Sequence, residues 1–400
     1  MIGIESASVY TRGCDERFSS SFADARHDAA TLAPLLPYPI MKRLLLVSLL
    51  VTASCGTGGS LTFGAAGPWK EGYGAMNRRG IELALQEINA RPERAGSPLR
   101  IDFQDDEGSG QVASRIAQRF VDQKDILAVV GHVNSGAMVA AAQVYDGRLA
   151  AVATTATSPA LTGISSWTFR VIASDSSNGN DIAAFATGLG RARAAILYEN
   201  NTYGRGLADA FRRGFAGRVI SMDPIGEGAE QPLEAYVSYF KLTKPDVVFI
   251  AGTDASGLAF LREARAQQLA ADLIGGDGWS GLSVDTLRSQ GVYVGVPFTA
   301  EDPRPEAQRF VTAFASRFQM RPDNNAALAY DATMLLYAAA QKAGPDRAKI
   351  RAQLASLTAA TAYHGVSGSI SFRPDGDPSA QHVVMTRIDH GTLRVAQDVR

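Results

Sequence analysis

Four short loops hold the residues whose types and spacing could bind a small charged molecule. The first is His132-Val133-Asn134-Ser135-Gly136, which follows an apolar run and opens a small-residue helix. A helix start offers free N–H groups and positive dipole character, which suit a carboxylate. The Ser135 hydroxyl adds a donor, though Ser135 would serve equally as an N-cap. The second loop, Thr155-Ala156-Thr157-Ser158-Pro159, also opens toward a helix and would serve equally as a polar turn. The third is Asn201-Thr202-Tyr203-Gly204, and the fourth Gly275-Gly276-Asp277-Gly278-Trp279. Asp277 stands among glycines that let a ligand approach closely, so it could hold an ammonium or simply form an Asp-Gly turn. Donors for a carboxylate on one side and an acid for an amine on the other match the two ends of an α-amino acid.

Such loops need strands to carry them, and the hydrophobic pattern supplies the strands. Ser60 to Ala65, Leu99 to Gln104, Leu127 to Gly131 and Ala150 to Thr154 read as short apolar strands. Between them Met76 to Ala90, Val112 to Gln123 and Gly136 to Tyr145 read as helices. After a polar break at Asp175 to Gly179 the alternation resumes. Strands are expected at Ala194 to Tyr198, Arg218 to Pro224, Val247 to Ala251 and Asp272 to Gly275, and helices at Asp181 to Gly190, Arg205 to Phe215 and Gly257 to Gln267. Helices follow at Pro305 to Phe318 and Asn325 to Ala343, then closing strands at Ser369 to Phe372, Gln381 to Arg387 and Thr392 to Val395. The pattern predicts an α/β fold of two doubly wound lobes with parallel sheets, joined by a hinge that the chain crosses more than once. Residues 60–174 with 300–377 are expected in lobe 1, and 175–299 with 378–400 in lobe 2. In such sheets ligands bind at the carboxyl ends of strands, where the four loops lie.

Composition removes several classes of function. Net charge is −1 and no basic block occurs, which argues against nucleic acid. The five histidines, His27, His132, His364, His382 and His390, lack metal-ligand spacing, so no metal is expected. No phosphate-binding Gly-x-x-x-x-Gly-Lys loop or dinucleotide fingerprint occurs, so no cofactor is expected. Gly278-Trp279-Ser280-Gly281 misses the nucleophile-elbow spacing, and no base is placed beside Ser135 or Tyr203. The chain is not expected to be an enzyme.

An export signal starts at an internal methionine. Met41-Lys42-Arg43 precedes an apolar run from Leu44 to Val51, then Thr52-Ala53-Ser54-Cys55. This is the form of a lipoprotein signal, with Cys55 as the lipidated residue, and the run is shorter than the ~20 apolar residues of a spanning helix. Gly56 to Ser60 reads as a tether. Residues 1–40 are a polar leader of doubtful translation, 41–55 the signal. The part after Cys55 is expected outside the cytoplasm, and its length suits two domains of ordinary size. The two cysteines are Cys14 and Cys55, so this part has no disulfide.

An ordered series of motifs extends the reading. Gly67-Pro68-Trp69 and Tyr73-Gly74 lead into Glu87-Ile88-Asn89. Asp105-Asp106, Gly131-His132, Ser158-Pro159, Asp175-Ser176-Ser177, Tyr203-Gly204-Arg205-Gly206 and Ala329-Tyr330-Asp331-Ala332 follow. From about Ser60 onward the chain resembles the substrate-binding proteins of branched-chain amino acid ABC transporters, the leucine/isoleucine/valine-binding type. The resemblance implies a type I periplasmic-binding fold that closes on its ligand. It places the carboxylate on Ser135, with Ala156 and Thr157 touching carboxylate and amine. It assigns Tyr203 to the second-lobe tyrosine, Asp277 to the acid that takes the ammonium, and Tyr73 to the ligand side chain.

The sequence departs from that pattern in two places. Gly108 and Asn134 stand where some relatives have a cysteine pair, and Gly252-Thr253-Asp254 where an aromatic residue is often found; Trp69 and Trp279 are expected to supply aromatic walls instead. The expected protein is a monomeric, membrane-anchored lipoprotein that delivers a small neutral amino acid, branched-chain or otherwise aliphatic, to ABC permease subunits. Two alternatives stand beside it. One is a binder of amides, urea or aromatic acids, which Asp277 disfavours because its carboxylate would be buried unpaired. The other is an envelope lipoprotein that regulates a cell-wall synthase.

Overall fold

The computed structural model describes residues 60–90, 98–228 and 232–396. The leader, the signal and Cys55 lie outside the described residues. Five parallel strands form the first sheet in the order β2-β1-β3-β4-β5: β1 Leu61–Gly67, β2 Leu99–Asp105, β3 Ile126–Gly131, β4 Ala150–Ala153 and β5 Thr168–Arg170. Strand β3 is buried along its whole length, as expected where helices cover both faces of a parallel sheet. One face packs Phe63, Val130 and Val152 against Ile81, Leu328 and Leu336. The other packs Val129 and Ala151 against Phe120, Met138 and Tyr145. Burying each Val, Leu, Ile or Phe side chain contributes about 1.5–3 kcal/mol.

The second sheet has seven strands, ordered β14-β13-β10-β9-β8-β6-β7. Five run parallel: β6 Arg193–Glu199, β7 Arg218–Ile225, β8 Val247–Ala251, β9 Asp272–Gly275 and β10 Tyr293–Val296. The hairpin of β13 Val384–Asp389 and β14 Thr392–Val395 adds antiparallel to β10. Strands β11 Tyr363–His364 and β12 Ser369–Ile370 form a separate small ribbon. Helices α1 Gly72–Ala90, α2 Gly110–Asp122 and α3 Ser135–Tyr145 belong with the first sheet. Helices α4 Asp175–Gly188, α5 Thr202–Gly214, α6 Glu234–Thr243 and α7 Asp254–Ala266 belong with the second. Helix α8, Pro305–Phe318, then returns the chain to the first lobe, where α9, Asn324–Ala343, packs along α1 and α10, Arg347–Ala355, follows. Gly80 permits the α1–α9 approach, because a Cβ there would lie 2.1 Å from the Ala326 carbonyl oxygen.

The chain passes between the sheets three times, through 171–174, 297–304 and 371–383. The expected polar break at Asp175 to Gly179 is instead the first turn of α4, capped by the Ser174 hydroxyl accepting from the Ser176 N–H. Ser and Asp break helices in their middle but favour their starts. Strands β5 and β10 and helices α6 and α10 were not anticipated from the pattern; the two strands are only three and four residues long. Among the described residues no helix is long and apolar enough to cross a membrane.

Candidate binding site

One cavity of about 60 Å³ gathers residues from all four loops. Tyr73, Val133, Asn134, Ser135 and Thr155 line it from the first lobe; Asn201, Tyr203, Thr253, Asp277 and Gly278 line it from the second; Asn325 comes from the start of α9. Of the expected site residues, Tyr73, Ser135, Tyr203 and Asp277 therefore meet.

Ser135 is the first residue of α3, and the N-cap position belongs to Asn134. The Asn134 side chain does not cap the helix. Its Nδ2 donates instead to the Tyr73 hydroxyl at 2.9 Å. The Ser135 Oγ accepts from the Ser158 N–H at 3.2 Å, which leaves its own proton for the cavity beside the free donors of the helix start. Burial pushes the Tyr73 phenol up to about 12, so it remains a donor.

Across the cavity, the Tyr203 hydroxyl donates to Asp277 Oδ1 at 3.0 Å and accepts from the Gly278 N–H at 3.2 Å. Gly204 sets the start of α5 against the strand ends, since a Cβ there would lie 2.3 Å from the Glu199 carbonyl oxygen. Asp277 is only 6 % exposed. Burial raises its carboxyl to about 6, and the Tyr203 hydrogen bond opposes the rise. Burial also holds the Tyr203 phenol well above its ordinary range, with Asp277 adding to the shift.

Ala156 and Thr157 do not line the cavity. Ala156 is packed in the first-lobe core. Thr157 is fully buried, and its carbonyl accepts from Arg170 Nη1 at 2.9 Å and from the Asp175 N–H at 2.8 Å. Neither tryptophan forms a wall of the cavity. Trp279 is fully buried in the second-lobe core, where Gly275 and Gly257 leave room for its ring. Trp69 packs edge-on against Phe103 at 5.9 Å. A tryptophan beside glycines in a loop reads as a ligand wall, but here the glycines accommodate the ring inside the lobe.

Several residues that hold the site's loops without lining the cavity were missed. Arg170, 2 % exposed, donates from Nε to Asp377 Oδ1 at 2.6 Å, from Nη1 to the Thr157 and Ser158 carbonyls, and from Nη2 to Thr162 Oγ1 at 2.7 Å. Asp175 is fully buried, and neither of its oxygens nor the Thr157 hydroxyl makes a hydrogen bond of normal geometry within the described residues. Burial holds its carboxyl well above the usual range; the Asp277 charge adds to this, while Thr157 and Arg170 oppose it. Glu199 joins two second-lobe loops, accepting from the Thr253 N–H at 3.0 Å, the Thr253 hydroxyl at 2.7 Å and Asn201 Nδ2 at 3.2 Å. An acid at a helix start was a legible signal for Asp175; the partners of Arg170 are too distant in sequence to suggest theirs.

His132 lies behind the Ser135 loop, fully buried, with Nδ1 2.6 Å from Asp106 and Nε2 3.0 Å from the Tyr145 hydroxyl. It does not reach the cavity. A larger cavity of about 480 Å³ begins beyond Tyr73, bordered by Met76, Leu258 and Phe298 and by Asp254 and Asp323. It contains neither Ser135 nor Asp277, so the opposed donors and acid are in the smaller one. Among the described residues no group of three metal-ligating side chains occurs.

Residues 63–392 match the family model for periplasmic binding proteins. The chain is 25% identical over 327 residues to Leu/Ile/Val-binding protein homolog 1 of Brucella abortus (strain 2308), covering 80% of this chain and 87% of that one. A crystal structure of an ABC transporter substrate-binding protein from Desulfitobacterium hafniense, in complex with Leu, is 29% identical. It superposes with a TM-score of 0.74 over 84% of this chain and 100% of that one. A branched-chain amino acid transporter substrate-binding protein from Streptococcus pneumoniae, in complex with isoleucine, has the same fold, with a TM-score of 0.78 at 23% identity over 84% and 99% of the two chains.

Proposed function

The chain belongs to the periplasmic binding protein family, and on that premise we propose that it is the solute-binding component of an ABC importer, holding a small neutral amino acid between its lobes. The observation that carries this reading is the opposition across one cavity of Ser135, at the start of α3, and the hydrogen-bonded pair Tyr203–Asp277. The ligand carboxylate sits at the helix start, on the Ser135 hydroxyl and the backbone donors; the Thr157 loop lies behind it. The ligand ammonium sits on the Asp277 carboxylate. Asp175, buried nearby and inclined to stay neutral, leaves Asp277 as the charged acid. Charge-assisted hydrogen bonds of this kind are roughly twice as strong as neutral ones.

Because the two ends of the ligand touch different lobes, its contacts are complete only when the lobes are closed, and binding draws the equilibrium toward that state. The chain carries out no reaction; it presents the ligand to permease subunits. With a signal ending at Cys55 it is an extracytoplasmic, lipid-anchored protein, and it works as a monomer. Relatives that hold leucine and isoleucine support the amino-acid class.

The test is a thermal-shift screen of the mature chain against the amino acids, followed by calorimetry on those that bind. A ligand at a hundred times its dissociation constant adds about 2.7 kcal/mol of stability. A shift with an amide, urea or aromatic acid and none with any amino acid would replace this reading with the non-amino-acid one. Recovery of a cell-wall synthase in place of permease subunits would favour the regulatory lipoprotein.

A further inference from the structure

We propose that the side chain of the ligand is short, neutral and a hydrogen-bond donor, of the serine or threonine kind, because the wall that faces it offers acceptors whose own protons are already committed. The inference rests on the amino-acid reading of the site and narrows it, away from the aliphatic side chain that the sequence suggested.

With Ser135, Tyr203 and Asp277 assigned to the charged ends, Val133 is the one purely aliphatic side chain among the remaining lining residues. Asn325 donates from Nδ2 both to Ser280 Oγ at 3.2 Å and to Asp323 Oδ2 at 3.0 Å. A carboxylate can only accept, so the amide orientation follows from chemistry, and Oδ1 is the atom left for the cavity. The Thr253 hydroxyl gives its proton to Glu199 Oε1 at 2.7 Å, again to an acceptor, so its oxygen faces a ligand as an acceptor. The Thr155 hydroxyl gives its proton to the Val133 carbonyl at 3.3 Å. Asn134 Oδ1 is buried with no partner among the described residues.

Against these acceptors stand two side-chain donors, the Tyr73 hydroxyl, whose oxygen already accepts from Asn134 Nδ2 at 2.9 Å, and Asn201 Nδ2, which gives one of its two protons to Glu199 Oε2 at 3.2 Å. A ligand hydroxyl meets both needs, donating to the acceptors and accepting from Tyr73. An aliphatic side chain would strand the acceptors out of water, a penalty larger than the gain of a normal hydrogen bond.

Threonine and valine are nearly isosteric, so calorimetry with that pair isolates the hydroxyl. Sites built around a ligand hydroxyl discriminate strongly against the analogue that lacks it. Threonine or serine is expected to bind the mature chain at least tenfold more tightly than valine, leucine or isoleucine. Thr253→Val removes one acceptor with little change in shape and is expected to narrow the threonine-to-valine ratio. Asn325→Leu is expected to narrow it further, and its melting temperature reports any loss of fold. Valine, leucine or isoleucine binding as tightly as threonine would overturn this inference and leave the amino-acid reading standing. Failure of every amino acid to bind would overturn both.

Discussion

Arg170 and Asp377 are 207 positions apart in sequence, and the guanidinium Nε lies 2.6 Å from the Asp377 carboxylate. The same guanidinium holds the carbonyls of Thr157 and Ser158, each at 2.9 Å. A residue of the third passage between the sheets is thereby fixed to the loop behind Ser135. Removing one partner of a buried ion pair leaves the other charge uncompensated, typically at a cost of about 3–5 kcal/mol. Arg170→Leu should lower unfolding stability by that order in urea titration, and should weaken ligand binding as the 155–158 loop loosens. Unchanged stability would mean that water reaches the pair.

Asp277→Asn keeps the shape of the site and removes its charge. Truncating one partner of a buried, hydrogen-bonded charge pair typically costs ~2–5 kcal/mol of binding, roughly thirty- to several-thousand-fold in affinity. The free protein should be no less stable, since its raised carboxyl marks a buried charge that disfavours folding at neutral pH. Ser135→Ala should cost less, because the backbone donors of α3 remain. Calorimetry on one amino acid with all three proteins decides; equal affinity for parent and Asp277→Asn would mean that no ammonium sits there.

Binding should also fall as the solution is acidified. The Asp277 carboxyl of the free protein lies at about 6, above its ordinary 3.8, because it is buried. A ligand ammonium favours the ionised form, so the complex binds fewer protons than the free protein. Affinity should therefore hold above about pH 6 and decline below it, approaching a tenfold loss per pH unit. The same group affects folding in the opposite sense. A carboxyl with a raised folded pKa favours the folded state most below its unfolded value of 3.8, and that advantage is lost as pH rises through about 6. Affinity that is flat from pH 7 to pH 5 would assign the ammonium to another group.

Cys55 is expected to carry lipid, with the mature chain starting there. Cys55→Ala should move the protein from the membrane fraction to the soluble one. Mass spectrometry of the intact protein should find residues 1–54 missing. A chain that begins at Met1, or that remains on the membrane after the substitution, would exclude the anchor.

Some of this was legible in residue order. Tyr73, Ser135, Tyr203 and Asp277 each follow a strand end, and a doubly wound sheet brings such positions together whatever the details of packing. The rest depended on distance in sequence. Asn325 opens a helix whose pattern signals only burial, and its place in the cavity comes from α9 packing along α1. Arg170 is one arginine at the end of a three-residue strand, and its partner lies in the turn Asp375-Gly376-Asp377. Trp279 shows how local reading errs: the glycines that suggested ligand access accommodate its own ring.

The hairpin β13–β14 bears on how the molecule is made. It completes the second sheet along β10, and α9 completes the first lobe against α1. Each lobe therefore waits for residues synthesised late. During vectorial synthesis the second sheet emerges with an open flank, β10 lacking its antiparallel neighbour until residues 384–389 arrive. An unpaired strand edge is a template for association between chains. A chain built this way cannot complete either lobe early, and truncation reaching α9 from the C-terminal end would damage both lobes rather than release one intact half.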